Sequence, residues 1–382
     1  MFYTCTTFFL SLMKRCLILS LVVFSVIIVN AQQLSKNEVK QLKNFLQLLS
    51  HSNKTNAQLI GIKDLNNPAT WNGVEWSNGH VKSIMWRGYS IAGDLDLSGM
   101  ADLQNIDLSR NKLSSVNLSG CEKLKTLNVS NNHIQNLNLT SCVSLQRLLC
   151  FKNNLTTLDL TQLPSISFIN CGDNNFTTFD ASGSKSLKTL NIQGCKLTSL
   201  MVSGCDSLMN LYCGYNNLSD IDLTEIPLLS NLNIDNNNIT QFAPSDLTRL
   251  TTLYCSNNNM GYLTISNLPQ LSYLDCSYND VRQLNIEGCD YLSFIDCSYN
   301  SLDNLDLHSR PLLQHLNCSN NTISTLDVSL CPSLVYLNCR ENPIFELHTY
   351  GDINLRIVLT PWNEWGPGYM PTTMMSPPPY IY

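Results

Sequence analysis

The chain has 382 residues, 43% hydrophobic and only 14% charged, with a formal net charge of −6 at pH 7. An acidic chain without a basic stripe is a poor candidate for binding nucleic acid, and no such partner is expected. The polar remainder is dominated by Asn, Ser and Thr, a neutral hydrogen-bonding surface suited to proteins or glycans.

The first 31 residues read as a leader. Lys14 and Arg15 precede an apolar run from Cys16 to Val29, and Asn30-Ala31 offers a small residue at the cleavage point, the pattern of a secretory signal peptide. Met13 reads as its true start. The run is about 14 residues, against roughly 20 needed to span a bilayer. Cleavage removes Lys14 and Arg15, leaving 21 basic against 29 acidic residues, a net of −8. No Cys follows the run to carry a lipid, and no second apolar span appears later. The expectation is an exported protein, secreted or at the cell surface, with no membrane span after cleavage.

Residues 32–80 are expected to cap a repeat array that begins near residue 81. The spacing of Val39, Leu42, Leu46 and Leu49 predicts an amphipathic helix over 34–50, with Ser35 and Glu38 as a capping box. A turn-rich stretch containing Trp71 and Trp76 then runs into a strand from Val81 to Trp86. Val81, Ile84, Trp86 and Ile91 keep the spacing of the array, but one extra residue precedes Leu95 and Leu97, as in a degenerate zeroth repeat.

Twelve copies of one 21-residue unit then start at Leu103, Leu124, Leu145, Ile166, Leu187, Leu208, Leu229, Leu250, Leu271, Leu292, Leu313 and Leu334, without insertion or deletion. Positions 1, 4 and 6 are apolar, as in Leu124, Leu127 and Val129, the alternation of a strand with one buried face. A second apolar triplet at positions 11, 14 and 16, as in Ile134, Leu137 and Leu139, fills the core from the opposite wall. No unit buries both triplets alone, so neighbours must stack. The predicted fold is an α/β-type solenoid over 81–354: a right-handed leucine-rich repeat coil with one parallel sheet on its concave face. The convex side should be mostly irregular, extended or 3-10. Position 9 is Asn in eleven of twelve repeats, which predicts a structural ladder; Cys195 breaks it in repeat five. Pro164, Pro227, Pro269, Pro311 and Pro332 all fall at position 20, before the next strand, whereas Pro244 takes position 16 and suggests a short helical turn over 245–249. Residues 355–382 are expected to hold an edge strand near Val358, covering residues Trp362 and Trp365, and an irregular Pro-rich tail.

Sixteen cysteines in an exported chain suggest disulfides, but their positions argue otherwise. Eight occupy position 6, from Cys150 to Cys339, where other repeats have Leu, Val or Ile. They read as small buried hydrophobes forming a reduced ladder, since their side chains point the same way. Neither they nor the six scattered His have metal-ligand spacing, so no metal, cofactor or catalytic residue is expected. Asp159, Asp180, Asp222, Asp306 and Asp327 recur at position 15, and bonding to nearby backbone is preferred there over a calcium ladder.

The unit Leu-x-x-Leu-x-Cys-x-x-Asn-x-Leu-x-x-Leu-Asp-Leu-Ser resembles the cysteine-ladder members of the bacterial internalin family over about 82–349. The resemblance implies a secreted or cell-surface adhesin that binds host proteins or glycans through the concave face. The immunoglobulin-like modules and wall anchor usual in that family do not follow here. The Trp-Asn-Gly-Val-Glu-Trp stretch also resembles the N-terminal cap of plant-type leucine-rich repeat receptors, without their paired cysteines, so it would close by tryptophan packing.

Strand positions 3 and 5 face outward, with position 8 at the rim. From repeat four onward these columns carry Phe168, Tyr212, Tyr215, Tyr254, Tyr273, Asp275, Tyr278, Phe294, Asp296, Tyr299 and Tyr336. Exposed Tyr pairs a large contact area with a hydrogen-bonding tip, the mark of recognition surfaces. Strand faces also favour aromatics in general, but repeats one and two offer only Asn105, Asp107, Thr126 and Asn128. The predicted site is centred on repeats eight to ten, Tyr254 to Tyr299, with the two aspartates selecting a basic or hydroxyl-rich partner. The leading expectation is a non-catalytic recognition or adhesion protein; the alternative is a structural component of an envelope or secreted matrix.

Overall fold

A computed structural model describes residues 33–50, 53–244, 246–349 and 354–360. The signal segment, Trp362, Trp365 and the Pro-rich tail lie outside the described residues. Each of the twelve repeats contributes a three-residue strand at positions 3–5, and in each the central side chain is buried while its neighbours face outward. These strands, with β1 (Val74–Ser77), β2 (His80–Met85) and the final strand Ile357–Leu359, form one 15-stranded sheet. Apart from the antiparallel β1–β2 hairpin the pairing is parallel, at a 21-residue offset between repeats, such as Leu253 opposite Leu274, and at 22 between β2 and repeat one, as Ile84 opposite Ile106. The opposite wall is extended, and in places its neighbouring turns pair into two-stranded ladders, as Phe179 with Leu200.

What holds successive turns in register is the asparagine column. In repeat two the Asn132 amide donates to Leu108 O at 3.0 Å and Val129 O at 2.9 Å, while its oxygen accepts from Leu113 N at 2.9 Å. The same bonds recur through Asn342. They satisfy buried backbone groups where the chain turns and the sheet ladder cannot reach. Cys195 substitutes a weak version, its sulfur 3.8 Å from Cys171 O and from Gln193 O.

All fourteen described cysteines are buried and unbridged. Those at position 6 are fully shielded from solvent. At position 19, Cys121, Cys205 and Cys289 also tie adjacent turns together, donating to Leu97 O at 3.3 Å, Ala181 O at 3.1 Å and Ile265 O at 3.0 Å, each one turn back. Arg310 occupies that position in repeat ten and is 2% exposed. Its Nη2 makes the equivalent bond, to Ile286 O at 2.8 Å. The position-15 aspartates accept from the backbone two residues on, as Asp222 from Thr224 N at 3.0 Å.

The N-terminal cap departs from the sequence reading in several respects. Helix α1 spans Lys36–Leu46, shorter than 34–50, so Leu49 lies beyond it and is 69% exposed; Phe45 joins Leu42 and Leu46 on the buried face. The Ser35–Glu38 capping box does not form. Glu38 is buried instead, and its two oxygens take Val81 N and His80 Nδ1, each at 2.7 Å. An unmet strand N–H of the first turn competes for that carboxylate better than the helix start, which stays accessible to water. A true capping box appears at Thr55 and Gln58, opening α2 (Asn56–Ile60), a helix too short to show periodicity in sequence. Asn56, fully buried, staples the cap down: its amide donates to Phe45 O and Ala92 O, and its oxygen accepts from Ala92 N. Trp86 is fully buried and stacks on Phe45 at 5.9 Å. Beside Gly93 the ladder between the zeroth and first repeats shifts register, Gly93 pairing with Leu113 and Asp94 with Ser115.

Pro244 is buried, but no helix follows it among the described residues. Leu247 N bonds Pro244 O in a single turn, the position-16 to position-19 bond that Cys121 N and Leu118 O also make. Proline keeps its carbonyl, which is all this turn requires of it.

Candidate functional site

The outward columns of the sheet face are where the repeats differ most. At position 3, in-register pairing brings Tyr273, Phe294, His315 and Tyr336 onto four neighbouring strands. Their rings stack nearly parallel at centroid distances of 4.3, 4.4 and 4.1 Å. Tyr254, at position 5 one turn earlier, leans on Tyr273 at 4.8 Å. A second stack stands at the rim, Tyr278 on Tyr299 at 4.2 Å. Because stacked rings cover one another's faces, the long column presents edges and hydroxyls to solvent. Burial, then Tyr254 and Asp275, push the Tyr273 hydroxyl well above its ordinary range. Burial lowers His315, favouring a neutral ring within the stack.

Position 8 carries a second signal. In every repeat it adopts a left-handed backbone, with φ between +51° at Asp173 and +67° at Gly194. Asn tolerates this conformation, and Asn131, Asn236, Asn257 and Asn320 use it. Tyr215, Tyr278 and Tyr299 hold the same conformation with a bulky side chain, as Arg110, Lys152 and Glu341 do with long ones, at a cost of roughly 1 kcal/mol each.

Asp275 and Asp296 face each other on adjacent strands. Each uses Oδ1 to accept from a serine two residues on: Ser277 N at 3.0 Å and Ser298 N at 3.0 Å, with the serine hydroxyls at 2.7 and 2.6 Å. Burial raises Asp275 above its ordinary value despite those bonds.

No family model matches the chain, and no curated protein matches it either. Solved structures do. The functional domain of InlJ from Listeria monocytogenes, which includes a cysteine ladder, is 28% identical with a TM-score of 0.63, over 73% of this chain and 68% of that one. The chain is a leucine-rich repeat solenoid resembling the cysteine-ladder internalins. YopM from Yersinia enterocolitica is 24% identical with a TM-score of 0.55, over 70% of this chain and 63% of that one. The Arabidopsis receptor kinase HAESA ectodomain, solved with a peptide hormone ligand, is 22% identical with a TM-score of 0.54, over 70% and 51%. The last two share the fold.

The leucine-rich repeat register explains which sequence candidates come together. Tyr254, Tyr273, Phe294 and Tyr336 join one column, and Tyr278 and Tyr299 the other. Phe168 stands apart, with the Arg147 guanidinium 3.7 Å over its ring. Tyr212 and Tyr215 also lie outside both stacks; Tyr215 is 61% exposed and borders a shallow depression with Phe151, Gln193 and Gly194. His315 was missed by sequence reasoning, which sorted histidines by metal spacing. Its place at position 3 of repeat eleven was the available signal, and it bridges Phe294 to Tyr336. The stacked column therefore spans repeats nine to twelve, extending the predicted site toward the C-terminal end. Among the described residues no cluster of His, Cys, Asp or Glu is arranged to hold a metal.

Proposed function

We propose that this protein is an exported, non-catalytic recognition or adhesion module that binds a protein or glycan partner through the sheet face of repeats eight to twelve. One observation carries the reading: the left-handed position 8 holds stacked tyrosines beside the ring column, although Asn fills that position in neighbouring repeats. Aromatic anchors held rigid by their neighbours lose little entropy on binding. The resemblance to InlJ and the shared fold of a peptide-bound receptor ectodomain support a binding role. The test is to identify ligands of the secreted chain by glycan array and host-extract capture, then measure affinity for the Tyr273→Ala/Phe294→Ala/Tyr299→Ala variant. None of the three is a core position, so the variant should stay folded and lose binding at least a hundredfold, or about 3 kcal/mol. Unchanged affinity in the folded variant moves the site elsewhere.

A further inference from the structure

Charge is unevenly placed on the sheet face. At positions 2, 3, 5, 7 and 8, repeats one to five carry Arg110, Lys125, Arg147, Lys152 and Lys188, whereas repeats six to eleven carry no Lys or Arg. In that cation-free stretch Asp275 and Asp296 stand on paired strands, with Cα atoms about 4.8 Å apart. Among the described residues neither forms an ion pair.

The fold does not need these charges. Asn128 and Asn317, at the same repeat position, accept the same serine N–H and hydroxyl through their amide oxygens. A neutral side chain therefore holds the same turn, with N–H bonds of 3.2 and 3.3 Å. The Asn317 amide also donates to the second oxygen of Asp296 at 2.9 Å, a bond that leaves the charge unneutralised. Like charges directly opposite on adjacent strands are destabilising, so the two charges are surplus to folding and oppose it.

Their surroundings give them a shape. Tyr273 and Phe294 stack on the position-3 side, Tyr278 and Tyr299 on the position-8 side, and Tyr254 pairs with Asp275 on the preceding strand. The two carboxylates thus lie along their strands between the position-3 rings and the position-8 tyrosine pair. Carboxylates attract a cation by charge and hydrogen bonding, and aromatic rings shelter its methylene stem. We propose that this carboxylate pair and the rings beside it bind a lysine or arginine side chain on an extended basic segment of a protein partner. The inference rests on the recognition function above and names its partner's chemistry.

The experiment selects random dodecapeptides on the purified chain and measures the enriched sequences by fluorescence anisotropy. The expected peptides contain Lys or Arg, and replacing that residue by Gln weakens them at least tenfold. Asp275→Asn/Asp296→Asn should weaken them at least tenfold while the melting temperature holds or rises. An empty selection, enrichment without basic residues, equal binding by the double variant, or a lowered melting temperature overturns the proposal. Calcium binding by the chain alone, abolished in the double variant, would reassign the carboxylate pair to a metal. If a ligand's binding is lost in the aromatic triple variant but not in the Asp variant, this inference fails and the recognition site stands. If neither variant affects it, both fail.

Discussion

Cys195 offers a direct measure of what the asparagine ladder is worth. In an ordinary repeat Asn258 donates to Ile234 O at 3.0 Å, Cys255 O at 3.2 Å and Ser256 O at 3.1 Å, and accepts from Ile239 N at 3.0 Å. In repeat five a thiol stands 3.8 Å from two carbonyls, and Phe176 N has its sulfur as acceptor. Cys195→Asn should restore three donated bonds and one accepted bond. At about 1 kcal/mol net per neutral bond, less the residual thiol contacts and about 1 kcal/mol of lost apolar transfer, the gain is about 1–2 kcal/mol. Turns of a solenoid open locally, so the readout is amide exchange at Phe176 and its neighbours, expected to slow about tenfold. The reverse change, Asn258→Cys, should speed exchange at Ile239 by a similar factor. If Cys195→Asn leaves exchange unchanged and Asn258→Cys is also silent, the asparagine ladder does not hold the turns together.

Further outcomes follow from the cap and the core. Denaturing thiol titration without reductant should find fourteen free thiols in the chain lacking residues 1–31, and a count near zero would overturn the reduced ladder. The native chain should react slowly, because burial pushes Cys121 up to about 12 and Cys142 to about 11. Deleting residues 32–80 uncovers the layer of Val81, Ile84 and Trp86, buried beneath α1 and β1, and should cause aggregation; a soluble monomer would show that the cap covers nothing essential. The bond to Glu38 raises His80 above its ordinary 6.5. Its contribution is complete below that value and is lost as pH rises through the raised folded value. Melting temperature should therefore decline slightly above pH 6.5, and His80→Gln should flatten that decline; an unchanged slope would assign it to another group.

Much of the fold was legible because each repeat repeats its own environment. A strict 21-residue period forces position 4 to be buried and positions 3 and 5 to face out in every turn, so strands, core and outward columns could be numbered from residues alone. The same register identified Asn at position 9 as structural and Cys at position 6 as core. The cap was less legible because it occurs once and has no period to average over. Glu38 looks like a helix cap locally, yet an unpaired N–H more than forty residues away at Val81 claims it.

By itself, then, the sequence determined the solenoid, its register, its buried cysteines and the regional concentration of tyrosines. Those follow from short-range spacing, which repetition makes unambiguous. Only the tertiary structure decided how side chains of successive turns meet. It placed His315 between Phe294 and Tyr336, put Tyr278 and Tyr299 on a left-handed backbone, and set Asp275 beside Asp296 between two aromatic stacks. Residues 21 apart in the chain become neighbours one strand spacing apart, and their contacts depend on ring orientation and backbone conformation that no single repeat encodes.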